Sequence, residues 1–384
     1  MANHKQIAVV GGGLVGKATA VAAASAGFST IHVAPRTPLD RRTSALMGPS
    51  VTYMIDAGLI GDPETLGVPL SRIRIIDATE RLLRAPETVF NAAEFGHRAF
   101  GWNFANARLG ESFSQAGATR DNLELRAASL GTARRLDESW QLELDDGTAL
   151  TADLLVGADG KGSSVRKAAD IGVRERNFEQ AAMVCDLELG RGLDGESVEF
   201  HYPNGPFTLV PAGEKRANLV WIDALEVLED ARRDAERLAS LLNEKSRHLF
   251  GVIKVVTPSF VFPLSMLSVE VAGRDAAVLV GESAHAFPPI GAQGLNLGLR
   301  DVASLNACLN AANPGSYGWA DAVSRSYAAA RRSDLTRTGA FVDGLFTSLL
   351  SPHLPAQALR SAGLWGLKTV PGLRKHAISF GMGQ

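Results

Sequence analysis

Apolar residues fall along this chain in two rhythms. Short continuous runs at Ile7–Val10, Leu154–Val156 and Ala276–Val280 have the length of strands, and they suit strands covered on both faces of a parallel sheet. Each run stops at a glycine, and a helical rhythm follows the first and the third. After Gly11 the spacing predicts a helix from about Leu14 to Ala26, stopped by Gly27, with Thr30–Val33 as the next strand. After Gly281, residues Leu295, Leu299, Val302, Leu305 and Leu309 recur at helical spacing, so a helix opens near Gly294-Leu295-Asn296. Leu123–Ala127 and Trp140–Leu144 read as further strands, the latter closed by an Asp145-Asp146-Gly147 turn.

From about Phe178 the rhythm changes. Met183–Leu189, Ser197–Tyr202, Phe207–Pro211 and Ala217–Ile222 alternate apolar with polar residues, as antiparallel strands with one covered face do. Leu225–Lys245 reads as one charged amphipathic helix, and helices at about Ala320–Leu350 and Pro355–Thr369 close the chain. The pattern predicts an α/β fold. A Rossmann-like domain, 1–177 and 266–350, is interrupted by a mainly antiparallel sheet, 178–265, and followed by a helical C-terminus, 351–384. Strands around 73–105 are expected to contribute to the sheet's side of the molecule.

The chemistry sits at the glycine stops. Gly11-Gly12-Gly13-Leu14-Val15-Gly16 is a complete GxGxxG in a strand–turn–helix–strand frame. That frame allows a tight turn, close approach of a pyrophosphate and close helix packing. Its usual partner is absent: where an acidic residue should end the second strand, the chain has Ala34-Pro35-Arg36. A missing charge-assisted hydrogen bond costs about 1.5–3 kcal/mol, which weakens a dinucleotide without excluding it. Arg42, in the DRRTSAL stretch, has the fork geometry for a phosphate and reads equally well as a solvated arginine. A second stop, Gly157-Ala158-Asp159-Gly160 before Ser163 and Arg166, places a carboxylate at a strand end ahead of a helix. The third, Gly281-Glu282, leads through His285, Pro288, Pro289 and Gly291 to Gly294. There the free amides of a helix start carry partial positive charge.

Composition narrows the class. The 384 residues are 46% hydrophobic and 21% charged, with a net charge of −2, which gives no general reason to bind nucleic acid. Cys185 and Cys308 are isolated and read as small hydrophobes. No metal-ligand cluster and no membrane-spanning run is expected, so the chain reads as cytoplasmic.

Taken in order, GxGxxG at Gly11–Gly16, GADGxxSxVR at Gly157–Arg166 and the Gly281–Asp301 stretch resemble the group A flavoprotein monooxygenases, the para-hydroxybenzoate hydroxylase type. Asp40–Leu46, Phe100–Asn106, the Tyr327/Arg331/Asp334 spacing and Leu364–Met382 look more narrowly like the ubiquinone-biosynthesis hydroxylases of the UbiH/UbiF type. The resemblance implies non-covalent FAD held at Gly11, Gly13, Leu14, Val15 and Gly16, with Arg42 and Asn106 on the phosphate and ribityl side. It further implies backbone from Leu130 to adenine, and contacts from Asp159, Gly160, Gly281, Glu282, His285, Gly291, Gly294, Leu295 and Asn296. Glu282 stands where the family usually has Asp. Pro288 and Pro289 would wall the flavin face, with no side chain proposed as acid or base. NAD(P)H is the implied transient co-substrate. The implied reaction is hydroxylation of an aromatic ring with O2 through a C4a-hydroperoxyflavin. Another phenolic or polyketide substrate, or a non-catalytic flavin-binding accessory protein, are the rival readings. Residues 360–380 interleave basic and apolar side chains. That composition suits peripheral contact with the inner face of a membrane, or docking on the core, on a second subunit or within a biosynthetic complex.

Overall fold

The computed structural model describes residues 3–36, 38–79 and 85–350, together with Gly363, Trp365, Gly366, Thr369, Gly372, Arg374 and Lys375. The rest of the 351–384 segment, with the helix expected at Pro355–Thr369, lies outside the described residues.

The three apolar runs meet in one sheet. Asn3–Val10 pairs in parallel with Ala149–Gly157 on one side and Thr30–Val33 on the other; Ala277–Leu279 extends the first side and Leu123–Arg126 the second. Ile7, Ala8, Val9, Leu154, Leu155, Val156, Val278 and Leu279 are wholly buried, because helices cover both faces. The strand order reverses at the Asn3–Val10 strand, so the crevice beyond its carboxyl end is the expected ligand position. The helix Leu14–Ser25 starts there, and the site helix Gln293–Asn310 packs against it.

A second, mainly antiparallel sheet is built on the long strand Val173–Leu189, flanked by Arg216–Ala224 on one edge and Phe260–Val269 and Ile253–Val255 on the other. It is wider than residues 178–265 alone, because strands of the 73–105 region join it as expected. Arg72–Asp77 and Thr88–Asn91 join one end, and His285–Ala286, directly after the Gly281 stop, joins the other. The two parts of the molecule are therefore stitched through the candidate site itself. One face of this sheet, with Phe200, Phe207, Trp221 and Met183, is buried under two helices, Leu225–Ala231 and Ala235–Lys245. The single helix expected at Leu225–Lys245 is broken because Asp234 caps the second piece, its carboxylate accepting from Glu236 N and Arg237 N. The opposite face meets the long helix Trp319–Leu350 and the loop after Pro288: Ala182, Ile222 and Leu264 cluster with Ile290, Phe346 and Leu349. A small sheet, Thr43–Met47 with Gly101–Ala105 and Gly67–Leu70, closes a third side.

Candidate functional site

The three glycine stops come together because glycine lets them. Gly11 holds φ +126°, and a Cβ on it would stand 2.1 Å from the Ala158 carbonyl oxygen, so only glycine fits between these two strand ends. Gly298 plays the same part between helices: a Cβ there would come within 2.7 Å of Val15. Two other glycines do the reverse. Gly13 and Gly294, at the starts of the Leu14–Ser25 helix and the site helix, face open space, with nothing within 4 Å of a built Cβ. Neither helix start carries a side-chain cap. Both therefore leave backbone N–H groups free for an anionic ligand.

Around these starts the polar side chains are already ordered. Arg42 forks onto Asp40 through Nε and Nη2, both at 2.9 Å. Asn106 donates to the same carboxylate at 3.0 Å and accepts from the Ser44 hydroxyl at 2.7 Å. The Asp40 hydrogen bond, working against burial, raises the Arg42 guanidinium above its ordinary range, and the charges of Asp40 and Glu282 add to that. Hydrogen bonds gather Asp40, Arg42 and Asn106 at one mouth, and the charge of Glu282 acts on Arg42 from outside that group. Ala34 is half-buried at the end of its strand and donates its N–H to the Arg126 carbonyl. The loop leading to Leu130 leaves the neighbouring Leu123–Arg126 strand, and no carboxylate stands at Ala34.

Asp159 divides its two oxygens. Oδ2 accepts from Ser164 N at 2.7 Å and Val165 N at 3.2 Å, capping the short helix Ser164–Ala168, while Oδ1 is buried and unpartnered. Gly160 beside it has φ +78° and open space at its Cβ position. Asn296 is spent differently from the expectation: its side chain accepts from Met47 N and donates to the Ala45 and Ala292 carbonyls. It pins the Thr43–Met47 strand to the helix start, so only its backbone faces a ligand alongside Gly294 and Leu295.

Sequence reasoning missed the hub of the site. Asp301, fully buried on the site helix, accepts from Gly281 N at 2.8 Å, pairs with His285 Nε2 at 2.6 Å and with Arg331 Nε at 2.7 Å. Arg331 reaches on to Asp334 at 2.7 Å, and Asp334 to Arg300 at 3.0 Å. Burial alone would lift the Asp334 carboxyl, but Arg300 and Arg331 outweigh it and hold it below the usual carboxylate range. His285 is therefore a tether rather than a free base; its Nδ1 is buried without a partner, and its ring stacks on Phe287. The signal was present in the sequence: a carboxylate between Leu299, Val302 and Leu305 on an apolar helix stripe has to find cations indoors.

Pro288 is buried and Pro289 exposed, and the turn they make, closed by Ile290 N donating to the Pro288 carbonyl, drives Ile290 onto the second sheet. Gly291, at φ +65°, then returns the chain to the helix start. Both cysteines are unsuited to chemistry: burial, helped by Asp186, pushes the Cys185 thiol up to about 12, and burial also raises Cys308. No cluster of metal ligands exists among the described residues.

The residues fit FAD on these observations. Two uncapped helix starts with clear space suit its central pyrophosphate and the pyrimidine edge of its reduced ring, and the orphaned Asp159 oxygen offers an acceptor to a hydroxyl-rich ligand. Comparison with known proteins agrees. A family model described as FAD binding domain matches residues 117–335. The chain is 28% identical to 3-demethoxyubiquinol 3-hydroxylase of Escherichia coli, over 98% of each chain. It is 29% identical to ubiquinone hydroxylase UbiL of Rhodospirillum rubrum, over 98% of this chain and 89% of the other. Its fold matches p-nitrophenol 4-monooxygenase PnpA from Pseudomonas putida with a TM-score of 0.80, at 17% identity, covering 98% of this chain and 97% of that one.

Proposed function

The chain belongs to the FAD binding domain family, and from that premise we propose that it hydroxylates the ring of a prenylated phenol in ubiquinone biosynthesis. One oxygen atom of O2 enters a ring C–H bond as C–OH; the other leaves as water, with two electrons from NAD(P)H and one proton. FAD, when bound, supplies the oxygen activation and hydroxyl transfer that no side chain can. The protein's own residues hold, orient and exclude water. Gly13 admits the pyrophosphate to the amides of the Leu14–Ser25 helix, and Arg42 and Asn106 stand beside it. The amides at Gly294 and Leu295 stabilise negative charge on the ring system without reorganising, because Asn296 and Asp301 fix the helix start and the Gly281 turn. The observation that carries the reading is the Ile290 contact. It sets an uncapped helix start beside the apolar face of Ala182, Ile222 and Leu264, which is where an aromatic ring would be held dry.

The relatives' names support the substrate class, since both the Escherichia coli and the Rhodospirillum rubrum proteins are called hydroxylases of ubiquinone or its precursor. A cytoplasmic enzyme working at the inner face of a membrane follows from that substrate, because a polyprenylated phenol does not travel through water. No helix among the described residues is long and apolar enough to cross a membrane. Of the basic residues expected to face lipid, Arg374 instead pairs with Glu94 at 2.8 Å and lies over the Phe90 ring, which favours docking of that part on the core. The test is a flavin spectrum of the purified protein, then NAD(P)H oxidation and product analysis with prenylated phenols under isotopically labelled O2. A protein that stays colourless and oxidises no NAD(P)H with added FAD would be an accessory protein; label in another ring class would point to the rival hydroxylase.

A further inference from the structure

The inference deepens the reading above and rests on it. The sheet face that carries Ile290 is chemically sorted from one edge to the other. In register across the strands, Asp77 and His201 begin a row that passes Pro206, Ile222 and Ala182 and ends at Phe262. Glu199 belongs to the neighbouring row, which ends at Val184 and Phe260. At the first end the polar groups are committed: His201 Nε2 lies 2.6 Å from Glu199, and the Asp77 carboxylate accepts from Thr79 and Ala85 N–H. The middle lies under Ile290, Phe346 and Leu349. At the other end two phenylalanines come out to solvent, Phe262 at 38% and Phe260 at 59% exposure.

That end is also a sheet edge. The strand Phe260–Val269 takes an outer partner only at Leu267 and Ser268, so among the described residues 260–263 have none. An exposed edge is normally protected by charge or proline, and here Pro263 blocks pairing while the side chains stay apolar. Leu225 and Val227, on the helix covering the opposite face, are also exposed, at 39% and 43%. Large apolar groups thus crowd one end of the sheet on both of its faces, and on one face they continue inward to Leu264 and Ile290.

We propose that the apolar tail of the substrate runs outward along this strand, over Leu264, Phe262 and Phe260, while the ring stays at the helix start beside Ile290. Alternate residues of a strand give about 13 Å of apolar path from Leu264 to Phe260. The opposite direction ends at His201, Glu199 and Asp77, whose hydrogen bonds to one another and to Thr79 and Ala85 make a polar wall with no apolar path for a tail. The edge then serves as the mouth through which a membrane-borne chain enters while the ring is hydroxylated inside.

The test compares two substrates on the FAD-loaded enzyme, one phenolic ring with a long polyprenyl tail and the same ring with a single prenyl group. In F260S/F262S the ratio of KM for the long-tailed to the single-prenyl substrate should rise about tenfold or more, with kcat retained; F260L/F262L should restore it. A ratio within about twofold of wild type would overturn the tail route. If the serine variant fails to keep its flavin, F260W carries the test: its emission should shift blue on adding the long-tailed phenol and stay fixed with the single-prenyl one, and no shift with either overturns the proposal. Wild-type enzyme that turns over the single-prenyl ring but shows no preference for the tail defeats this inference alone. Wild-type enzyme inactive on both rings defeats the functional reading, and this inference with it.

Discussion

Replacing Asp301 by asparagine is the perturbation the structure makes most legible. The side chain keeps its shape and loses its charge, so what changes is electrostatic. Asp301 serves three partners at once, the Gly281 amide, His285 Nε2 and Arg331 Nε. Removing one member of a buried ion pair costs about 3–5 kcal/mol, most of it the penalty of stranding the other charge. Here the lower end applies, because Arg331 keeps its 2.7 Å contact to Asp334, which is itself partly solvated. We expect a loss of about 3 kcal/mol in denaturant unfolding. We also expect poor flavin retention, since the one acceptor oxygen of asparagine cannot serve Gly281 N, His285 and Arg331 together. Removing Arg331 too, in D301N/R331L, should return part of both stability and flavin, because no charge is then left unpaired and the asparagine oxygen is free for Gly281 N. A D301N protein within about 1 kcal/mol of wild type and fully flavinated would refute the hub.

Four further outcomes follow from the same geometry. G294V should keep the fold, since a Cβ there meets nothing within 4 Å, yet lose bound flavin; a folded, fully yellow variant would remove this helix start from the site. G11A should instead fail as a protein, because its Cβ would meet the Ala158 oxygen at 2.1 Å at a φ of +126°, and a soluble, normally melting G11A would contradict that packing. A34E should tighten FAD by about tenfold or more by supplying the missing ribose acceptor, read by flavin titration; equal or weaker binding would show that this strand end does not meet the ribose. His32, buried and donating toward the Gly11 carbonyl, has its pKa lowered mainly by burial. The unfolded chain therefore takes up a proton near pH 6.5 that the folded chain refuses, and stability present above that value falls as the pH drops below it. Thermal midpoints of flavin-free protein between pH 7.5 and 5.5 should fall less in H32Q than in wild type; parallel curves would exclude His32 as the source.

What the sequence disclosed depended on whether a residue's role was local. Strand, glycine and helix start are local patterns, so the Gly11, Gly157 and Gly281 stops were readable, and the structure brings them together at one crevice. The break in the Leu225–Lys245 helix was local too, and Asp234 four residues before Leu238 was its signal; uninterrupted amphipathic spacing masked the cap. The roles that escaped were set by distant partners. Nothing near Asn296 says that its amide will be consumed by Ala45 and Met47, about 250 positions earlier in the chain. The strands expected around 73–105 do join the second sheet, but the parallel pairing of Arg72–Asp77 to Glu196–Tyr202 is a contact that no alternation within either strand encodes.

The joining of the two sheets bears on why the site tolerates departures at both Ala34 and Glu282. His285–Ala286 is at once the last strand of the second sheet and the continuation of the Gly281 turn, and His285 is held by the same carboxylate that holds Gly281. The position of the turn is therefore fixed by buried charge and sheet pairing rather than by its own side chain at 282, which is exposed. An extra methylene at Glu282 can then be absorbed by rotamer choice at the mouth, where Arg42 feels its charge, without moving the helix start. Ala34 has no such cushion. Its strand ends in a backbone hydrogen bond to Arg126, and nothing nearby replaces the lost acceptor. The two departures are thus expected to be unequal: the one at Ala34 should subtract affinity directly, whereas the one at Glu282 should be buffered by Asp301.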